Sequence, residues 1–388
     1  LRPSSSPLLL AVGGLISLAA AMGIGRFVYT PILPFMLDGT RLSADDAGLV
    51  ASANFLGYLV GALAGSMRGL PGSPRGWFLT ALLASAISSV MMGFGESLGG
   101  FLALRFIGGF ASAFVLVFSS ALVLDRLRDA GRPDLSAVHF AGVGCGIAFS
   151  AILIAALGHL GANWQELWYA SGAATLLLFG LAALLVPATS PAPAPAAALP
   201  GQEARTSPFD APLFRLIAAY GLFGFGYVIT ATFVSALARS TPALQASEPY
   251  VWLVVGLAAA PSIFVWNRVS VAIGSRKAFS LACVAEAFGV SLTVLSQKPL
   301  LFVLGAGLLG ATFMGITALG LMEARAHAGR QGHANPRQIL AIMTASFGLG
   351  QMAGPWFAGE LHALTGSFQT PTLCAAAALL VAAALVYR

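Results

Sequence analysis

Apolar runs of about twenty residues, separated by short polar breaks, recur from one end of the chain to the other. A helix needs about 20 mainly apolar residues to cross a hydrocarbon core of about 30 Å. By that measure the sequence predicts twelve spans, at 8–37, 45–66, 76–94, 98–124, 135–158, 164–187, 212–238, 250–267, 278–296, 299–322, 337–359 and 369–387. Most connections are short, so neighbouring helices are expected to run antiparallel. Leu8 to Ala21 has the length of a signal-peptide core, but the apolar pattern continues to Leu37, which makes it the first span. The connection at 188–211 differs, lying in the stretch PATSPAPAPAAALPGQEARTSP. Alternating Pro and Ala predict a stiff, extended linker. The expected organisation is a six-helix unit over 1–187, the linker, and a second six-helix unit over 212–388.

Basic residues orient this arrangement. With the N-terminus inside, fifteen Arg and Lys fall in cytoplasmic segments and three outside, namely Arg41, Arg239 and Lys298. A bias of that size in short loops sets topology, so both termini and the linker are expected in the cytoplasm.

An offset of about 200 residues brings the two halves into register. Gly23-Ile-Gly25-Arg26 in the first span aligns with Gly224-Phe-Gly226-Tyr227 in the seventh, and Gly72–Arg75 after the second with Gly274–Lys277 after the eighth. Gly144-Cys-Gly146 in the fifth aligns with Gly348-Leu-Gly350 in the eleventh. Repeats of this kind place a solute site near the bilayer midplane, between halves that rock around it.

Composition agrees and removes other classes. The chain is 58% apolar and 9% charged, against roughly 25% charged in a soluble domain. Its +6 net charge is carried by basic residues spread thinly between apolar runs, so nucleic-acid binding is not expected. Cys145, Cys283 and Cys374 are scattered and form neither a disulfide framework nor a metal pattern. No Walker-type loop, HExxH or CxxC is present. The sequence therefore predicts no enzyme and no cofactor, with energy drawn from a gradient.

The loops after the second and eighth spans read GSMRGLPGSPRG and NRVSVAIGSRKA, and the fourth span carries Arg105-x-x-x-Gly109-x-x-x-Ala113. With these motifs the whole chain resembles the major facilitator superfamily. GIGRFVYTPILP (23–34) and ANFLGYLVGAL (53–63) are similar to its YbfB/YjiJ branch of bacterial transporters. The resemblance implies an all-α polytopic protein of twelve spans in two repeats, in the bacterial inner (plasma) membrane. Both loops lack the superfamily's usual acidic residue, which puts its charge-relay latch in doubt. The glycine-rich fifth span resembles the superfamily's exporter motif without the proline.

Charges kept inside a span are costly and usually face a cavity or a partner. Arg26 is the candidate contact for a carboxylate or phosphate, which a guanidinium binds through paired hydrogen bonds; the alternative is an arginine tied to backbone carbonyls. Arg105 divides evenly between helix packing and function. Asn54 and Tyr58 share one face of the second span, Tyr220 and Tyr227 one face of the seventh, and Tyr29 follows Arg26 by one turn. Together they suit the lining of a modest organic solute, although each could equally be glue between helices. Gln351 joins them if the eleventh span turns as the resemblance implies. Glu286 and His139 are the candidates for proton coupling. Asp38, Asp45 and Asp46 read as a solvated outer loop. The expected activity is proton-coupled movement of a small organic anion by a monomer embedded in membrane lipid. The alternatives are export of lipophilic or cationic drugs, with the arginines structural, and a receptor that binds solute without moving it.

Overall fold

The computed structural model describes residues 6–67, 69–187, 210–330 and 336–387, so most of the expected linker lies outside the described residues. The fold is all-helical. The first six helical elements are α1 (Pro7–Gly39), α2 (Ala44–Gly65), α3 (Pro74–Met92), α4 (Leu98–Asp129), α5 (Pro133–His159) and α6 (Trp164–Leu185). They are followed by α7 (Ala211–Ser240), α8 (Glu248–Ala259 with Ser262–Ile273), α9 (Ser275–Leu295), α10 (Pro299–Arg330), α11 (Pro336–Thr365) and α12 (Gln369–Tyr387). Among the described residues ten helices are long and apolar enough to cross a membrane, or eleven when the bent α8 counts as one span. α11 has thirty residues, ample length, but Gln338, Gln351, Glu360 and His362 make it more polar.

Two predicted spans are reshaped. The eighth, expected as a straight helix over 250–267, bends by 46° at Ala260–Pro261 and runs on to Ile273, because Pro261 has no N–H to continue the ladder. The first is continuous in path but not in helix type: a π segment at Ala19–Ile24 and a loose turn over 25–28 interrupt it. Gly23 and Gly25 favour helix weakly, and Pro31 and Pro34 supply no N–H to the carbonyls of Phe27 and Thr30. The fourth and tenth helices also extend past their predicted ends, to Asp129 and Arg330.

The helices pack as two groups with the same neighbours. α1 lies against α5 and α6, α2 against α4, and α3 against α4 and α6; correspondingly, α7 lies against α11 and α12, α8 against α10, and α9 against α10 and α12. Glycine allows the close approaches. A side chain at Gly23 would collide with the backbone of Gly146, and one at Gly350 with the carbonyl of Gly221. Between α2 and α4, a side chain at Gly109 would run into the Asn54 carbonyl.

The groups meet along α1–α7, α2–α11 and α5–α8. The seam is close away from the face that carries the chain ends. There Gly48 abuts the Pro355 carbonyl and Gly359 abuts Asp45. Pro355 interrupts the α11 ladder, and the N–H of Trp356 donates to Ser52 Oγ on α2 at 3.0 Å. Asp38 is exposed, as expected of a solvated acid, and also carries an ion pair. It lies at the end of α1 and accepts from Arg239 Nη1 at 3.0 Å, while Arg239 also forms a two-point pair with Glu248, at 3.0 and 2.8 Å. Asp46 likewise has a structural part, closing the capping box of α2 with Ser43.

At the face carrying the chain ends, Arg75 donates to the carbonyls of Val186 and Ala183 at 3.1 and 2.7 Å, closing the end of α6. The acid missing from the loop after the eighth span is replaced from α10. Glu323 accepts from Ser275 Oγ at 2.5 Å and Arg330 at 2.8 Å, with Arg276 at 3.5 Å.

Gly109→Val should lower stability by about 1–3 kcal/mol, the usual cost of overpacking, and depress the melting temperature of the purified protein. Gly180→Ala, where a methyl meets nothing within 4 Å, should leave it unchanged.

Candidate functional site

The site grows from the break in α1. Arg26 sits in the loose turn, so its side chain leaves the helix at the level where α2, α7 and α11 converge. It is 3% exposed. Its guanidinium carbon lies 3.9 Å from the ring centre of Tyr58, 4.7 Å from Phe55 and 5.2 Å from Phe27. Aromatic faces attract a cation with about 0.5–2 kcal/mol each when desolvated. Nη2 donates to Gln351 Oε1 at 2.9 Å, Gln351 Nε2 donates to the Tyr227 hydroxyl, and Arg26 Nε is buried without a partner. This hydrogen-bonded chain crosses from the first helix group to the second.

Tyr227 belongs to an aromatic stack. Its ring is nearly parallel to Phe313 (8°, 5.5 Å) and Phe347 (5°, 6.0 Å), and Phe223 stacks on it at 5.2 Å. Tyr220 stacks on Phe347 at 5.0 Å and donates its hydroxyl to the Thr317 carbonyl at 3.0 Å. Phe55, Phe313 and Phe347 were not singled out from sequence. Among 26 phenylalanines nothing but their position against Arg26 and Tyr227 marks them.

Arg105 serves the break itself. Its Nη1 donates to the Gly25 carbonyl at 3.2 Å and its Nη2 to the Arg26 carbonyl at 2.8 Å. In hydrocarbon, backbone groups released from a helix must find a partner within the protein, and Arg105 is that partner. Asn54 Nδ2 donates in turn to the Arg105 carbonyl at 2.9 Å, and Tyr29 donates to the Ala47 carbonyl at 2.9 Å while lying under the Arg105 guanidinium. Arg105, Asn54 and Tyr29 thus form a layer that supports Arg26. A cavity of about 10 Å³ separates the two arginines from α7 at Ala231 and Thr232.

The remaining candidates lie apart. Glu286 on α9 is fully buried, neither of its carboxyl oxygens has a hydrogen-bond partner, and Thr312 of α10 lies beside it. His139 is also fully buried, packed edge-on against Phe140 where α5 crosses α1 at Gly14. No group of three or more His, Cys, Asp or Glu among the described residues could hold a metal ion.

An all-helical membrane protein with a guanidinium and a stack of rings buried between two helix groups has the build of a solute transporter. The family model described as "Uncharacterised MFS-type transporter YbfB" matches residues 18–387, and the chain belongs to that family of the major facilitator superfamily. It is a transporter of the secondary type and not an enzyme. Two solved structures share the fold. A single-site mutant of the nucleoside transporter NupG gives a TM-score of 0.75 at 16% identity, covering 97% of this chain and 98% of that one. A second NupG structure gives 0.71 at 16% identity, covering 98% of each. No curated protein sequence matches the chain.

Arg105→Leu should cost about 3 kcal/mol, the upper range for a charged hydrogen bond, because it orphans both carbonyls of the α1 turn. Thermal unfolding in detergent measures it, and Arg105→Lys should recover part of the loss.

Proposed function

We propose that this transporter moves a small organic anion by alternating access, coupled to protons, with Arg26 as the contact for the anionic group. The observation that carries the reading is electrostatic. Arg26 and Arg105 are both buried, and among the described residues neither pairs with a carboxylate. A buried guanidinium without a counter-ion is costly, and an anionic solute supplies the missing charge. Tyr58 and Tyr227 shape the cleft, and Tyr220 with Phe347 extends its flat wall. Tyr29, Asn54 and Arg105 support Arg26 from behind.

The frame is twelve spans in two six-helix units, 1–187 and 212–388, joined by the linker. The matching neighbours in the two groups support the repeat, and α11 with the bent α8 makes up the number. Both termini lie in the cytoplasm on this reading, which the excess of basic residues in the short loops of one side supports, and the family likeness supports the inner membrane of a bacterial cell. The seam along α2 and α11 is then closed on the outer side. The protein acts as a monomer without a cofactor. Glu286 is the better proton site, since an intramembrane carboxyl is a relay candidate by default and this one is fully buried within its span, whereas His139 is enclosed by helix packing.

Ligands that bind only the folded state raise its melting temperature by mass action. Purified protein should be stabilised by one class within a panel of carboxylates and phosphates, and not by lipophilic cations or uncharged nucleosides. Arg26→Ala should remain folded and lose the shift. Undiminished anion binding in that variant overturns the proposal, and a shift from lipophilic cations that survives it favours drug export, for which the aromatic stack is suited.

Glu286→Gln in proteoliposomes should abolish stimulation of uptake by a pH gradient while leaving counterflow of labelled anion intact. Unchanged stimulation would remove Glu286 from the coupling.

A further inference from the structure

We infer that the Gln351 carboxamide holds the place of the substrate's carboxylate on Arg26, so that an incoming carboxylate binds by displacing it. The inference rests on the anion reading above and narrows it to one chemical class. Gln351 is completely buried, and both polar atoms of its amide are engaged, Oε1 by Arg26 Nη2 and Nε2 by the Tyr227 hydroxyl. A carboxamide and a carboxylate are both planar and carry two polar atoms on one carbon. The surroundings are better matched to the second. Arg26 Nε, buried and unpartnered, stands beside Nη2 and would complete a two-point bond to a carboxylate. The Tyr227 hydroxyl accepts from the amide, but a hydroxyl can equally donate, and toward a carboxylate oxygen it would.

Space points the same way. The cavity beside Arg26 is about 10 Å³, room for no more than about one water molecule. With the two helix groups closed as they are here, an organic solute can reach the guanidinium only if its present partner withdraws, and Gln351 is the side chain hydrogen-bonded to it. Arg26 belongs to α1, Gln351 and Tyr227 to α11 and α7. Displacing the amide therefore also breaks the hydrogen-bonded link across the centre of the molecule. A ligand shifts a conformational equilibrium only through contacts that differ between the states, and this exchange of partners is such a difference.

The test compares the wild type with Gln351→Leu, Gln351→Ala, Gln351→Glu and Arg26→Ala, each first shown to be monodisperse. Acetate and benzoate are titrated by calorimetry and by thermal shift. Loss of the competing amide should tighten benzoate binding by roughly tenfold or more in Gln351→Leu, the factor that corresponds to one charged hydrogen bond; Gln351→Ala covers the case in which Leu packs badly. Gln351→Glu carries its own carboxylate to Arg26 and should bind neither probe. Weaker or absent carboxylate binding in both neutral variants overturns the inference, as does benzoate binding retained by Gln351→Glu. If Gln351→Leu binds more weakly while Arg26→Ala does not bind at all, Gln351 is a substrate contact and the anion site stands. If Arg26→Ala binds as the wild type does, the anion site itself falls.

Discussion

A helix broken inside hydrocarbon releases carbonyl groups that water cannot reach, and the whole centre of this molecule is arranged around one such break. The turn over 25–28 in α1 frees the carbonyls of Gly25 and Arg26. Arg105 answers both with one planar group, a task that the single ammonium of lysine would do less well. Once Arg105 is committed there, Asn54 is committed to the Arg105 carbonyl and α2 is held to α4 at the glycine contact. Arg26 projects from the turn because it is not part of a regular helix, and so it reaches α2 and α11 together.

The two arginines show how burial separates roles that charge alone does not. Arg105 has its Nη groups on backbone carbonyls, partners that stay in place because they belong to a neighbouring helix. Arg26 has a neutral side chain from the opposite helix group and three aromatic faces, partners that can be exchanged or moved past. The first arrangement fastens the scaffold. The second leaves a charge available to something that arrives.

The large features were legible because they depend on segment composition and on turn chemistry. The all-helical membrane architecture, the placement of the apolar segments that form helices and the superfamily itself follow from hydropathy, glycine spacing and loop motifs. Arg26, Tyr58, Tyr227 and Gln351 were recognisable as polar or aromatic residues in apolar runs, and they converge. What could not be read was register between helices. The bend at Pro261 and the π segment at Ala19–Ile24 follow local Pro and Gly, but the neighbour that answers the break, Arg105 at the carbonyls of Gly25 and Arg26, carries no mark of that contact in the sequence. The aromatic stack had no mark in a chain so rich in phenylalanine. The ion pair of the exposed Asp38 with Arg239 and the approach of Glu323 to the loop after the eighth span were hidden for the same reason, since each partner is far away in sequence.

The π segment has a geometric consequence of its own. Such a turn accommodates more residues than an α-helical turn over the same path, and each residue of an α-helix rotates the chain by about 100°, as 3.6 residues per turn require. Ala19–Ile24 therefore acts as a phase shifter: the half of α1 before it packs mainly on α5 and α6, and the half after it mainly on α7. One helix can in this way serve as an internal wall of its own bundle near the chain ends and as part of the seam between bundles further on. A single-residue deletion there would leave hydrophobicity and length almost untouched, yet would turn the half of the helix after it to present a different set of side chains to the centre.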